Sequence, residues 1–187
     1  MVIALGEWVL RQACRAAASW PAPLTVAVNI SPVHFQVSTL YESVLAALTE
    51  SGLDAGRLEL EITESALLKD RDTTLATLHR LKALGVGVVM DDFGTGYSSL
   101  SNLQSFPFDK IKIDRSFIHS MENDEAALSI IRAIVGIGRS LSMPVVAEGV
   151  ETEAQRLKVC EEGCPQAQGF LFGMPSPVAA PVTVAAA

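Results

Sequence analysis

Charged and amide side chains recur where short apolar runs end. Residues 25–30 end in Asn29-Ile30. Residues 57–63 carry Glu59 and Glu61, with Glu64 just beyond. Residues 86–92 end in Asp91-Asp92, residues 110–114 carry Lys112 and Asp114, and the run that opens at Val145 meets Glu148, with Glu151 after it. The last run opens at Gln168. If these ends converge, at least four carboxylates share one small region. Like charges at that range do not all ionise without compensation. Lys112 supplies one positive charge, which is too little. Divalent cations are the natural remedy, and an oxygen shell of Asn and carboxylates suits Mg²⁺ or Mn²⁺ rather than zinc. The adjacent acids Asp91-Asp92 suit a cation pair, one bridging two ions ~3.5–4 Å apart while its neighbour binds one, as in phosphoester displacement. The implied substrate is a phosphate ester.

Each residue also has a plainer reading. Asn29 could start a turn before Ser31-Pro32. Glu64 and Asp114 could cap following helices. Gly94-Thr95-Gly96 is weak as a phosphate cradle, because no dinucleotide fingerprint follows it. Glu61 and Lys112 are harder to dismiss, since each alternates within an apolar strand where an unpaired charge is costly. Lys110 shares the Lys112 face by period two.

The elements that would position these groups alternate. Helices are expected over 2–18, 41–51, 72–84, 126–141 and 153–162, with a short one at 100–103. Strands are expected over 25–30, 57–63, 86–92, 110–114, 145–147 and 168–172. Short strands alternating with helices predict a parallel sheet covered by helices. An open doubly wound sheet would spread the polar strand ends along an edge, with only those near a switch point meeting. A β/α barrel converges them on one mouth. The polar ends therefore favour an incomplete barrel with about six of eight strands.

Composition narrows the partners. The 187 residues include 14 Lys+Arg against 21 Asp+Glu, a net charge of −7, and 49% are hydrophobic. That excludes a disordered polyelectrolyte and a basic nucleic-acid-binding module of the usual kind. No run reaches the ~18–20 apolar residues of a membrane span, and the first residues do not read as a signal peptide. The expectation is a cytoplasmic domain with no membrane contact of its own. The three cysteines read as reduced, mostly packed thiols. His34, His79 and His119 read as solvated, and Trp8 and Trp20 as packing residues.

Six blocks, in order, resemble the signature of the EAL domain family of bacterial cyclic di-GMP phosphodiesterases. They are Val28-Asn-Ile-Ser31, Glu59-Leu-Glu-Ile-Thr-Glu64, Asp91-Asp-Phe-Gly-Thr-Gly-Tyr-Ser-Ser-Leu100, Lys110-Ile-Lys-Ile-Asp-Arg115, Val146-Ala-Glu-Gly-Val-Glu151 and Gln168-Gly-Phe-Leu-Phe172. The resemblance implies a TIM-like β/α barrel with one antiparallel strand, which opens cyclic di-GMP to linear pGpG with two Mg²⁺ or Mn²⁺ ions. It implies Asn29, Glu61 and Asp91 as first-metal ligands, with Asp91 bridging to a second metal that Asp92 also binds. Glu148 would sit beside that second metal and the attacking water as general base, with Lys112 holding the water. Glu64 would brace the loop Asp92–Ser99. That loop (Phe93, Gly94, Thr95, Gly96, Tyr97, Ser98) would link the site to a homodimer interface. Gln168, Asp114 and Glu151 would line the substrate mouth.

No Glu-x-Leu-x-Arg segment lies upstream of Asn29 in these residues. The resemblance places a further metal ligand and a phosphate-binding Arg there. The chain is therefore expected to be a partial EAL domain over 1–174, followed by a loose Pro/Ala-rich tail over 175–187, and weak or inactive alone. An upstream sensory or diguanylate-cyclase-like domain is a possible neighbour. Two other readings remain open: a non-catalytic cyclic di-GMP receptor or interaction module, and a barrel lyase of the enolase type.

Overall fold

Val- and Ile-rich runs pair side by side in chain order. The computed structural model describes residues 1–35, 39–67, 70–96 and 100–177. Tyr97 and Ser98, and the tail beyond 177, lie outside the described residues. The six strands are β1 (Val26–Ile30), β2 (Leu58–Thr63), β3 (Gly87–Phe93), β4 (Lys110–Ile113), β5 (Val145–Glu148) and β6 (Gln166–Gln168). They form one sheet in the order β1-β2-β3-β4-β5-β6, and every pair is parallel. A doubly wound sheet reverses its strand order at a switch point; this sheet does not. Residues of β1 (Ala27) and β6 (Gln166, Gln168) line one cavity of about 270 Å³ with residues of β2, β4 and β5, so the sheet curls into part of a barrel. The antiparallel strand expected from the resemblance is not among these six.

The strand period sorts the side chains. Val28, Ile30, Leu58, Leu60, Ile62, Val88, Met90, Ile111, Ile113, Val145 and Ala147 belong to the main apolar core, which the helices share. The alternate residues Ala27, Glu59, Glu61, Lys110, Lys112 and Val146 line the concave cavity instead. Successive residues point to opposite faces, so the charged set and the core set are consecutive in sequence and separate in space.

The helices are α1 (Val2–Ala18), α2 (Pro32–Phe35), α3 (Leu40–Ser51), α4 (Arg71–Ala83), α5 (Leu100–Ser105), α6 (Arg115–Ser120), α7 (Glu125–Leu141) and α8 (Glu153–Glu161). Side chains of Asp70, Asp114, Asp124 and Thr152 cap α4, α6, α7 and α8, each satisfying an N–H that the helix leaves free. Helix α2 lies where no helix was expected, and α6 is the helix that the capping reading of Asp114 allows. None of the helices among the described residues is long and apolar enough to cross a membrane.

Three expectations are corrected. The last strand is 166–168, not 168–172. The chain turns at Gly169, where a Cβ would lie 2.2 Å from the Val150 carbonyl oxygen, and Leu171 N–H donates to that same oxygen. His34 is not solvated: it is 2% exposed, with its ring against Gly6 of α1. Trp8 is not a packing residue: it is 58% exposed. Helix α1 buries Leu10, Cys14 and Ala17, and two residues back from Leu10 is about 200° around a helix, which turns Trp8 outward. Trp20 does pack against the core, and Cys14 and Cys164 are buried free thiols while Cys160 is exposed.

Helix α7 lies close against β5 at Gly138. A Cβ there would meet Val145 Cγ2 at 2.3 Å and the Met143 carbonyl at 2.9 Å. Overpacking of this kind costs ~1–3 kcal/mol. Gly138→Ala is therefore expected to lower the urea midpoint by that equivalent, read by circular dichroism. An unchanged midpoint would show that α7 shifts freely.

Candidate functional site

Adjacent strand residues normally face opposite ways, yet Asp91 and Asp92 reach the same region. The pairing of β3 with β4 shifts register between Met90 and Phe93, and Asp92 adopts a left-handed backbone with φ 54°. A bulge re-aims side chains, and a non-glycine residue at positive φ stores strain that clusters at functional sites. One carboxylate oxygen each of Asp91, Asp92 and Glu148 lies within 4.8 Å of the others. Two elements thus deliver three acids to one point.

Glu61 and Lys112 join them. Lys112 is 3% exposed. Its Nζ donates to Glu61 Oε1 at 2.6 Å, pairs with Glu148 Oε1, and stands 3.6 Å from Asp91 Oδ1. One ammonium therefore faces three carboxylates directly, with Asp92 beside them. Burial works against the charge on Lys112, but its bonds to Glu148 and Glu61 outweigh burial and raise its pKa. Below this group, Lys110 Nζ bonds both carboxylate oxygens of Glu59 at 2.7 and 2.8 Å. That second pair explains why Lys110 shares the Lys112 face.

The remaining acids are tuned by their surroundings. Burial pushes Glu148 up to about 7, with Asp91 and Glu61 adding to the rise and Lys112 opposing it. Burial also raises Asp92, as do the charges of Asp91 and Asp114. Asp114 is affected by burial in the same sense, yet bonds from Ser116 and Asp92 hold it low. The contact between the two therefore acts in opposite senses, raising Asp92 and lowering Asp114.

The Glu148 shift carries a stability consequence. Its pKa rises from an ordinary 4.5 to about 7 on folding, so between those values the folded chain holds more proton than the unfolded one. Stability therefore falls as pH rises through that window. Glu148→Gln is expected to flatten the slope, read from urea midpoints at pH 5, 6 and 7, whereas an identical slope in the variant would remove Glu148 as its source.

The other expected residues fall around this cluster. Asn29 is exposed on β1, paired in register with Glu61. Gln168 Nε2 donates to Glu148 Oε1 at 3.2 Å. Glu64 is 7% exposed, and a Cβ at Gly96 would lie 2.7 Å from its Oε2, so Glu64 stands against the loop that follows Asp92. Phe93 is buried, and Thr95 and Gly96 are exposed. Asp114 accepts from Ser116 N–H at 3.0 Å and caps α6. Glu151 lines a cleft of about 210 Å³ with Arg115, His119, Glu148, Gln168 and Phe170. The sequence reads His119 as solvated. It is exposed, but its Nε2 lies 3.2 Å from the Gly149 carbonyl and 3.4 Å from Glu151 Oε1. The i, i+4 spacing of Arg115 and His119 behind the cap Asp114 was the signal for this.

The donor set fits divalent cations. Asp91 Oδ1 is buried without a hydrogen-bond partner among the described residues. An all-oxygen cluster carrying more negative charge than one lysine neutralises suits a hard cation.

A curled parallel sheet with acids at its C-terminal rim defines a β/α-barrel domain with an acidic mouth. The chain belongs to the EAL domain family, whose model matches residues 1–175. It is 45% identical over 181 residues to the bifunctional diguanylate cyclase/cyclic di-GMP phosphodiesterase MucR of Pseudomonas aeruginosa, covering 95% of this chain and 26% of that protein. Among solved structures, the PaMucR phosphodiesterase in complex with c-di-GMP superposes with a TM-score of 0.90 at 45% identity, covering 94% of this chain and 73% of that one. A manganese/cy-diGMP complex of Klebsiella pneumoniae BlrP1 superposes with a TM-score of 0.78 at 30% identity, covering 90% and 44%. The chain spans 21–29% of the length of the curated relatives it matches.

Proposed function

We propose that this chain carries a metal-dependent phosphodiesterase site that opens cyclic di-GMP to linear pGpG. The carrying observation is the buried Asp91 Oδ1, which accepts no hydrogen bond among the described residues and lies in a group of carboxylates that Lys112 only partly compensates. Asn29, Glu61 and Asp91 would hold one divalent ion, and Asp91, Asp92 and Glu148 a second, Mg²⁺ or Mn²⁺. Bound ions would lower the pKa of water and neutralise charge developing on the phosphate.

The chain's own groups do the rest. Glu148, with a pKa near neutrality, suits proton acceptance from the attacking water. Lys112 and Gln168 fix its carboxylate by direct bonds. Asp114 would steady Asp92 through the side-chain contact between them. The cleft bounded by Glu151, Gln168 and Phe170 is the proposed entry for the dinucleotide. Glu64, seated against Gly96, would steady the loop after Asp92, through which a second copy would couple.

The test is hydrolysis of cyclic di-GMP with Mn²⁺, followed by chromatography of pGpG. The 187-residue chain is expected to be slow. Fusion of the corresponding N-terminal segment of the MucR domain is expected to raise the rate, and Asp91→Asn to abolish it in both forms. Equal turnover by Asp91→Asn would reject the reading.

A further inference from the structure

Glu148 ends β5, and the residue after it, Gly149, has a left-handed backbone with φ 70°. A Cβ at Gly149 would lie 2.5 Å from Arg115 Cβ and 3.5 Å from His119 Nε2. Helix α6 therefore presses on the turn that aims Glu148. The His119 ring N–H donates to the Gly149 carbonyl at 3.2 Å, and Glu151 Oε1 lies 3.4 Å from the same nitrogen. The other side of α6 meets the segment after Asp92, because a Cβ at Gly94 would lie 2.9 Å from Phe117 Cε2. Its cap, Asp114, is bonded to Asp92 itself. One short helix touches both segments that carry the acids, and the chemistry proposed above gives His119 no part.

We infer that His119 is a positioning residue for Glu148: its bond to the Gly149 carbonyl fixes the turn from which the carboxylate is directed at Lys112 and Asp91. The inference rests on the metal-dependent reading above. A bond to the backbone directly after a ligand acts as partners outside the ligand shell generally do, by holding the ligand in its binding orientation before the ion arrives. Losing such partners costs ~10–100-fold in metal affinity. His119 has 43% of its side chain exposed, so its removal opens no core cavity and leaves the fold intact.

The test is calorimetric titration of Mn²⁺ into the metal-free chain and two variants, alongside thermal unfolding without metal. His119→Ala is expected to bind Mn²⁺ ~10-fold or more weakly at an unchanged unfolding temperature. His119→Gln, which keeps an N–H donor near the same place, is expected to recover most of the affinity. Equal affinity in His119→Ala overturns the inference, as does a failure of His119→Gln to recover. A fall in metal-free stability that accounts for the lost affinity overturns it too, by making the role structural. A wild-type chain that takes up no Mn²⁺ rejects the metal reading itself, which is a different result from uptake insensitive to His119.

Discussion

Lys112→Met is expected to destabilise the metal-free protein by ~3–5 kcal/mol, the range for removing one partner of a buried ionic group. Lys112 is 3% exposed and stands among Glu61, Asp91 and Glu148. Methionine fills much of the same volume, so the loss is electrostatic: three acids are left in a poorly solvated place without their cation. Two responses identify the cause. Lower pH is expected to restore part of the loss, because the stranded carboxylates can take up protons. Mn²⁺ is expected to restore part of it as well, by replacing the missing charge. Urea denaturation at pH 5 and 7, with and without Mn²⁺, measures both. A midpoint unchanged at pH 7 would mean that water already solvates these acids.

Asp91→Asn is expected to have the opposite signature. It removes one negative charge from the group, so the metal-free chain should be as stable as the wild type or more so. Metal uptake should fall by more than the ~10–100-fold that losing a supporting partner costs, because Asp91 is the proposed ligand common to both ions. A change that helps the empty protein and ruins the loaded one is the mark of a residue kept for binding. Calorimetry with Mn²⁺ and a urea titration of the same sample read both halves. Equal Mn²⁺ affinity in Asp91→Asn would remove Asp91 from the site.

Much of this was legible in the residue order. Strand β2 announced itself through Leu58, Leu60 and Ile62, and the alternation of Glu59 and Glu61 between them gave the concave face. The same period set Lys110 and Lys112 opposite them, although the Lys110–Glu59 pair needed the curl of the sheet to become visible. That Asp91 and Asp92 share a region contradicts simple strand alternation. The bulge and the positive φ of Asp92 resolve the contradiction, and neither has a glycine to signal it. The true end of β6 was hidden because Gln168-Gly-Phe-Leu-Phe172 reads as apolar strand, while Gly169 packs against the Val150 backbone and turns the chain. The burial of His34 is hidden because a lone histidine in a four-residue helix carries no pattern, whereas in the structure α1 packs against its ring. Helix α6 is too short for a hydrophobic period, so its hold on both acid-bearing segments appeared only with the coordinates.

Acids from separate strands are gathered, in the reading proposed above, to bind divalent cations. A crystal of the chain grown with Mn²⁺ and measured for anomalous scattering at the manganese edge tests it most directly. Anomalous density is expected in contact with Asp91, with Asp92 and Glu148 among its neighbours. Density elsewhere, or none while Lys112 keeps its bonds to Glu61 and Glu148, would contradict it.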